Sequence, residues 1–200
     1  APESEQERLR SVFSWAVEET LAVAYEIVAT TEKPLEKRLL VVLDEAANIA
    51  PLPKHDKLVT TATGNGIVPI SVFHDLAQMK ACHGEKALTI ANNCRAVLII
   101  SGTADPLTHE FASGVIGAGA FPQRSRTAGD QGKESTTESD TYRDLAPGHV
   151  LRQAESGTAV LIYDDLPPAR IGLRPFFKEA SLQELSGASP GRAGAREVRR

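Results

Sequence analysis

Two adjacent carboxylates, Asp44 and Glu45, close the apolar run RLLVVL (38–43). His74 and Asp75 follow a second apolar run, IVPISVF (67–73), and Ser101, Gly102 and Thr103 follow a third, RAVLII (95–100). A carboxylate at the end of a buried strand can hold a magnesium ion through water, because Mg²⁺ keeps most of its waters and asks for only one or two protein carboxylates. Its neighbour can orient or deprotonate a water for attack. A polar group ending the adjacent strand can then touch the terminal phosphate. This is chemistry suited to nucleotide hydrolysis, and its pattern is the Walker B arrangement. The plain alternative is an acid pair that leaves a strand and enters solvent.

The apolar runs that deliver these groups show no polar alternation, which predicts strands buried on both faces of a parallel sheet. Pro69 lacks an N–H and predicts an edge position or a bulge in the second strand. Between the strands lie helical signals: KHDKLVTTATGNG, then DLAQMKACHG and EKALTIANN parted at Gly84, then DPLTHEFASGVIG with Asp105 as N-cap and Pro106 in its first turn. Upstream, SEQERLRSVFSWAVEETLAVAYEIVATT has apolar residues at helical spacing, and Ser4 and Glu7 stand at capping-box distance. Strand alternating with helix predicts an α/β fold with right-handed crossovers and a mostly parallel sheet. Ligands in such sheets sit at the carboxyl ends of the strands, which is where Asp44, Glu45 and His74 fall.

Beyond Ala118 the character changes. Residues 118–145 are rich in Gly, Ser, Thr and charge and are expected to form a flexible loop or loose hairpin. LAPGHVLRQA reads as a short helix, and GTAVLIYDD and ARIGLRPFF as two strands joined by LPP. The organisation expected is one domain over 1–183, followed by a disordered basic tail over 184–200 that carries Arg192, Arg196, Arg199 and Arg200.

Composition sets outer limits. The chain has 200 residues, and 22 Lys and Arg against 26 Asp and Glu leave a net charge of −4, which does not advertise nucleic-acid binding by a free monomer. Cys82 and Cys94 make neither a zinc spacing nor a disulfide framework. The pair Cys82–His83 projects in two directions from one helix and makes a poor metal site. No apolar run reaches the length of a membrane span, and the opening APESEQERLR is not a signal peptide. The absence of an initiator Met is expected of a fragment.

The ordered strings LLVVLDEAANIAPLPKHDKLVTTATGNGI and VFHDLAQMKACHGEKALTIANNCRAVLIISGTADPLT, continued by STTESDTYRDLAP and AVLIYDDLPPARIGLRPFF, resemble the TraG/TraD-like coupling proteins of type IV secretion, most closely the actinobacterial branch. The resemblance implies a RecA-like P-loop ATPase core that works as a homo-hexamer at the cytoplasmic face of the bacterial membrane. It also implies ATP and Mg²⁺ as cofactors. Single-stranded DNA, a relaxase or relaxosome and a secretion channel are the implied partners. Under it Asp44 and Glu45 match the Walker B acids, with Asp44 on the metal side. His74 takes a position where the family commonly carries Gln. Asn65 stands where some members carry an arginine that reaches the neighbouring subunit, so Arg95 becomes a candidate for that trans arginine and Arg126 a weaker one. No G-x-x-x-x-G-K-[ST] occurs in the 200 residues. The phosphate-cradling Walker A segment is therefore expected upstream, and the chain alone is expected to be inactive. Two other readings fit the same acids: an FtsK-type hexameric DNA translocase, or a non-catalytic RecA-like interaction domain.

Overall fold

The computed structural model describes residues 3–128 and 134–186. It opens with the long helix α1 (Glu3–Thr31). Strand β1 (Leu39–Leu43), the short helices α2 (Ala46–Ile49) and α3 (His55–Thr61), and strand β2 (Ile67–Ser71) follow. Helices α4 (Leu76–His83) and α5 (Lys86–Asn93) lead to strand β3 (Ala96–Ile100) and helix α6 (Pro106–Ile116). A long ribbon, β4 (Ala118–Ala128) with β5 (Glu134–Asp144), precedes α7 (Gly148–Arg152). Strands β6 (Thr158–Tyr163) and β7 (Ala169–Gly172) and helix α8 (Ala180–Leu185) complete the order.

β1 and β2 pair in parallel, Leu39 opposite Ile67 through Leu43 opposite Ser71. The crossover between them is made by α2, α3 and a 3-10 turn at Thr63–Asn65, which Gly66 closes at φ +78. A Cβ on Gly66 would lie 2.9 Å from the backbone N and O of Leu35, so this turn requires glycine both for its φ and for its space. Pro69 sits opposite Val41 in an unbroken register with no bulge. Among the described residues β2 pairs only with β1, so the missing N–H leaves no ladder bond unmade there.

The sheet is less parallel than the sequence predicts. β3 pairs antiparallel with β6, and β6 antiparallel with β7, in a sheet separate from β1–β2. The strands are also covered on one face only. Leu39, Val41 and Leu43 pack with Leu21 and Ala24 of α1, Leu58 of α3 and Ile67 in one core. Their alternates Leu40, Val42 and Ile70 remain about half exposed. In the second sheet Val97 and Ile99 pack with Ala112, Phe111 and Leu151, while Leu98 and Ile100 are about half exposed. Continuous apolar strands match two-sided burial, but the described helices supply one layer to each sheet. Full burial of an Ile such as Ile67 contributes about 1.5–3 kcal/mol relative to exposure, so the covered faces hold each half together.

One local expectation changes as well. α1 is already helical at Glu3, so Ser4 lies inside the helix and is not its N-cap. The segment 118–145 holds an eleven-rung antiparallel ladder from Ala118–Asp144 to Ala128–Glu134, the hairpin form of the expectation. On it Arg124 pairs with Glu138 at 2.7 Å, and Thr141 donates to Gln123 at 2.7 Å. Residues 129–133, and 187–200 of the expected tail, lie outside the described residues.

Candidate functional site

β1 ends at Leu43, and the ladder to β2 continues one step further: Val72 N–H donates to Leu43 O, and Ala46 N–H donates to Val72 O. Asp44 and Glu45 are therefore held at the carboxyl end of β1, directly beside Val72–His74, which follow β2. This is the crevice that the strand-end rule selects. Asp44 is exposed. One of its oxygens, Oδ1, accepts the Glu45 N–H at 3.1 Å. Its other oxygen is open to solvent-borne partners.

Glu45 has φ 50 and ψ 47, the left-handed conformation that a side chain with Cβ adopts at a cost of about 1–2 kcal/mol. The turn is compelled from both sides. Glu45 O accepts from the N–H groups of Asn48 and Ile49 to start α2, and Ala46 N–H is tied to Val72 O. Ala46 and Ala47 are buried, so small residues let α2 pack where it does. Arg10 of α1 reaches across and donates to Ala47 O at 2.6 Å, which fixes α2 against the long helix. Strained backbone of this kind clusters where side-chain direction matters.

His74 is exposed, and Asp75 is the N-cap of α4, accepting the Gln78 N–H at 2.7 Å. Gln78 and Asn48, which do not stand out in the sequence, both face this site. Gln78 Oε1 accepts the His74 N–H at 3.0 Å. Gln78 Nε2 donates to Asn48 Oδ1 at 3.4 Å, and Asn48 Nδ2 donates to Glu45 Oε2 at 3.4 Å. The spacing Asp75-x-x-Gln78 is that of a capping box and is the one signal that could have found Gln78. The bond made by Gln78 goes to the residue before the cap.

Arg95 stands apart, at the opening of β3. It pairs with Asp164 at 3.1 Å and lies 5.6 Å from the Tyr163 ring centre. Arg126 falls where only the backbone is described. Ser101, Gly102 and Thr103 lead into α6, where His109 Nε2 donates to Thr103 O at 2.8 Å. Behind the site, fully buried His55 contacts Ser71 Oγ through Nε2 at 3.0 Å, and its Nδ1 has no partner. Burial, with His83 adding to it and Asp56 opposing, pushes the His55 imidazole down to about 4. Burial also raises the thiols of Cys82 and Cys94, which disfavours the reactive thiolates.

The donor set fits the metal half of a magnesium nucleotide. Asp44 offers a free carboxylate oxygen to a hydrated ion, and Glu45 lies beside it. Among the described residues no three His, Cys, Asp or Glu side chains converge.

Residues 38–155 match the family model described as the TraM recognition site of TraD and TraG. No curated protein matches in sequence. Among solved structures the chain is similar to the bacterial conjugative coupling protein TrwBdeltaN70 in complex with sulphate (TM-score 0.65, 19% identity, 86% of this chain and 38% of that one). It is also similar to the plasmid coupling protein TrwB with the ATP analogue ADPNP (TM-score 0.61, 15% identity, 87% and 43%). A third is TrwB with ADP and Mg2+ (TM-score 0.53, 17% identity, 71% and 32%). At these identities the likeness is one of mixed α/β fold, and the chain spans about two fifths of the TrwB chains. The family match extends over more than half of the residues and includes both strand ends of the site. The chain belongs to the TraG/TraD-like conjugative coupling proteins, matching their C-terminal part.

Proposed function

We propose that this chain is the Walker B half of a RecA-like ATPase motor that drives single-stranded DNA toward a type IV secretion channel. The observation that carries the reading is the placement of Asp44 and Glu45 beside His74 at the carboxyl ends of two parallel neighbours. In this reading Asp44 holds Mg²⁺ through water, and the ion supplies charge neutralisation at the phosphates of ATP. Glu45 orients and deprotonates the attacking water. His74 donates to the terminal phosphate from the adjacent strand; an imidazole can make one such bond. The phosphate-cradling loop comes from sequence outside these 200 residues.

The family match supports contact with the relaxosome, since its description names TraM recognition. Assembly as a homo-hexamer, engagement of a secretion channel and residence at the cytoplasmic face of the membrane belong to the same proposal. No described helix is long and apolar enough to cross a membrane. Arg95 acts as the trans arginine only by giving up Asp164, and that exchange is open to a partner subunit because the ion pair lies at the surface.

The test is Glu45→Gln in the full-length protein. Gln keeps the shape of Glu but cannot take a proton. ATP binding is expected to persist, while ATP hydrolysis and plasmid transfer are lost. Transfer at the wild-type frequency would remove Glu45 from the chemistry.

A further inference from the structure

The side chains between Glu45 and His74 form a chain with one direction. The His74 N–H can only donate, so Gln78 must turn its Oε1 toward it, and the contact is 3.0 Å. That fixes the Gln78 amide, whose Nε2 then faces Asn48 Oδ1 at 3.4 Å. This in turn fixes the Asn48 amide, whose Nδ2 faces Glu45 Oε2 at 3.4 Å. A backbone donor at one end and a carboxylate at the other leave neither amide free to flip. Three aligned dipoles thus point their positive ends at the carboxylate, and hydrogen bonds in such a series polarise one another. The two 3.4 Å links lie at the long end for N–H···O bonds.

We propose that Gln78 is a positioning residue: through Asn48 it ties the Glu45 carboxylate to the chain that follows β2, setting the Glu45–His74 separation. The proposal rests on the ATPase reading above. A purely structural account makes Gln78 a helix-capping residue, since its Oε1 satisfies the His74 N–H just ahead of α4. The two accounts differ in what they do to turnover. Loss of a cap lowers stability, whereas loss of the bridge lowers the chemical step and leaves nucleotide affinity in place.

The experiment is steady-state ATP hydrolysis by the full-length protein carrying Gln78→Ala, Asn48→Ala, both together, Gln78→Glu, or Glu45→Gln. Gln78→Ala and Asn48→Ala are each expected to lower kcat about tenfold with KM for ATP changed less than twofold. The double variant is expected to fall no further than the worse single one, because both break one chain. Gln78→Glu keeps the acceptor for His74 but cannot donate to Asn48, and it brings a second negative charge close to Glu45. Its kcat is therefore expected to fall as far as that of Gln78→Ala, with KM for ATP again changed less than twofold. Asn48 is exposed on a short helix, so Asn48→Ala decides the matter if Gln78→Ala fails to fold. A kcat within twofold of wild type in Asn48→Ala, with hydrolysis lost in Glu45→Gln, would overturn the bridge and leave the ATPase reading standing. Hydrolysis that survives Glu45→Gln would overturn both.

Discussion

Leu76 donates its backbone N–H to the hydroxyl oxygen of Thr108, 2.9 Å away, and the Thr108 hydroxyl donates onward to Asp105 Oδ2 at 2.7 Å. The first residue of α4 is thereby joined to the first turn of α6. α4 leaves the β1–β2 sheet and α6 packs on the other, so this relay ties the two halves of the described structure. Asp105 also accepts the Thr108 N–H at 2.8 Å as N-cap of α6. Burial pushes the Asp105 carboxyl up, but hydrogen bonds from Thr108 and from the N–H groups of Leu107 and Ala77 outweigh it and hold the group below its ordinary value.

Breaking that relay should cost more than a surface substitution does. Asp105→Ala removes a cap, a loss of about 0.5–2 kcal/mol. Thr108→Val strands the Leu76 N–H, a penalty of about 1–3 kcal/mol. Because the two act in one network, the double variant should lose less than the sum. Chemical unfolding of the single and double variants checks this, and strict additivity would show that the relay does not act as one network.

The left-handed backbone at Glu45 gives a second expectation. Glycine adopts φ 50 without penalty, whereas alanine carries the same Cβ cost as glutamate. Glu45→Gly should therefore be more stable than Glu45→Ala by about 1 kcal/mol, offset in part by glycine's larger unfolded-state entropy. Both variants should lack hydrolysis. The turn thus gives up stability to aim one carboxylate. Equal melting temperatures for the two variants would mean that the turn is not strained in solution.

The sequence made the elements legible because each has a local cause. The apolar runs become β1, β2 and β3, Asp105 and Asp75 cap the helices that follow them, and the Gly66 turn returns the chain to β2. The placement of Asp44, Glu45 and His74 at neighbouring strand ends was legible through the strand-end rule. The pairing of β3 was not, because its antiparallel partner β6 lies beyond the ribbon and no local signal states which strand it meets. One-sided burial was hidden too, since Leu40 and Val42 are as apolar as Leu39 and Val41. Asn48 and Gln78 escaped because an amide in a helix has no chemical meaning until its neighbour across 30 residues is known.

The last expectation concerns acid. His55 of α3 is fully buried against Ser71 of β2, Phe73 just beyond it and His83 of α4, with the Phe73 ring centre at 5.8 Å and that of His83 at 5.2 Å. Asp56 and Lys86, paired at 3.1 Å, are the nearby charges. With His55 held down to about 4 from an ordinary 6.5, the unfolded chain binds a proton that the folded one refuses. The sign follows: this contribution is fully present above about pH 6.5 and is lost as pH falls toward 4. Each tenfold loss of proton affinity is worth about 1.4 kcal/mol, so the total is about 3 kcal/mol. Burial moves His83 the same way and adds to the loss. Replacing His55 by Leu removes the titrating group and keeps an apolar side chain in the cavity. The wild-type protein should lose stability between pH 7 and pH 4.5 faster than His55→Leu does, in urea unfolding at each pH. Parallel pH curves for the two proteins would mean that the buried imidazole is not what acid attacks.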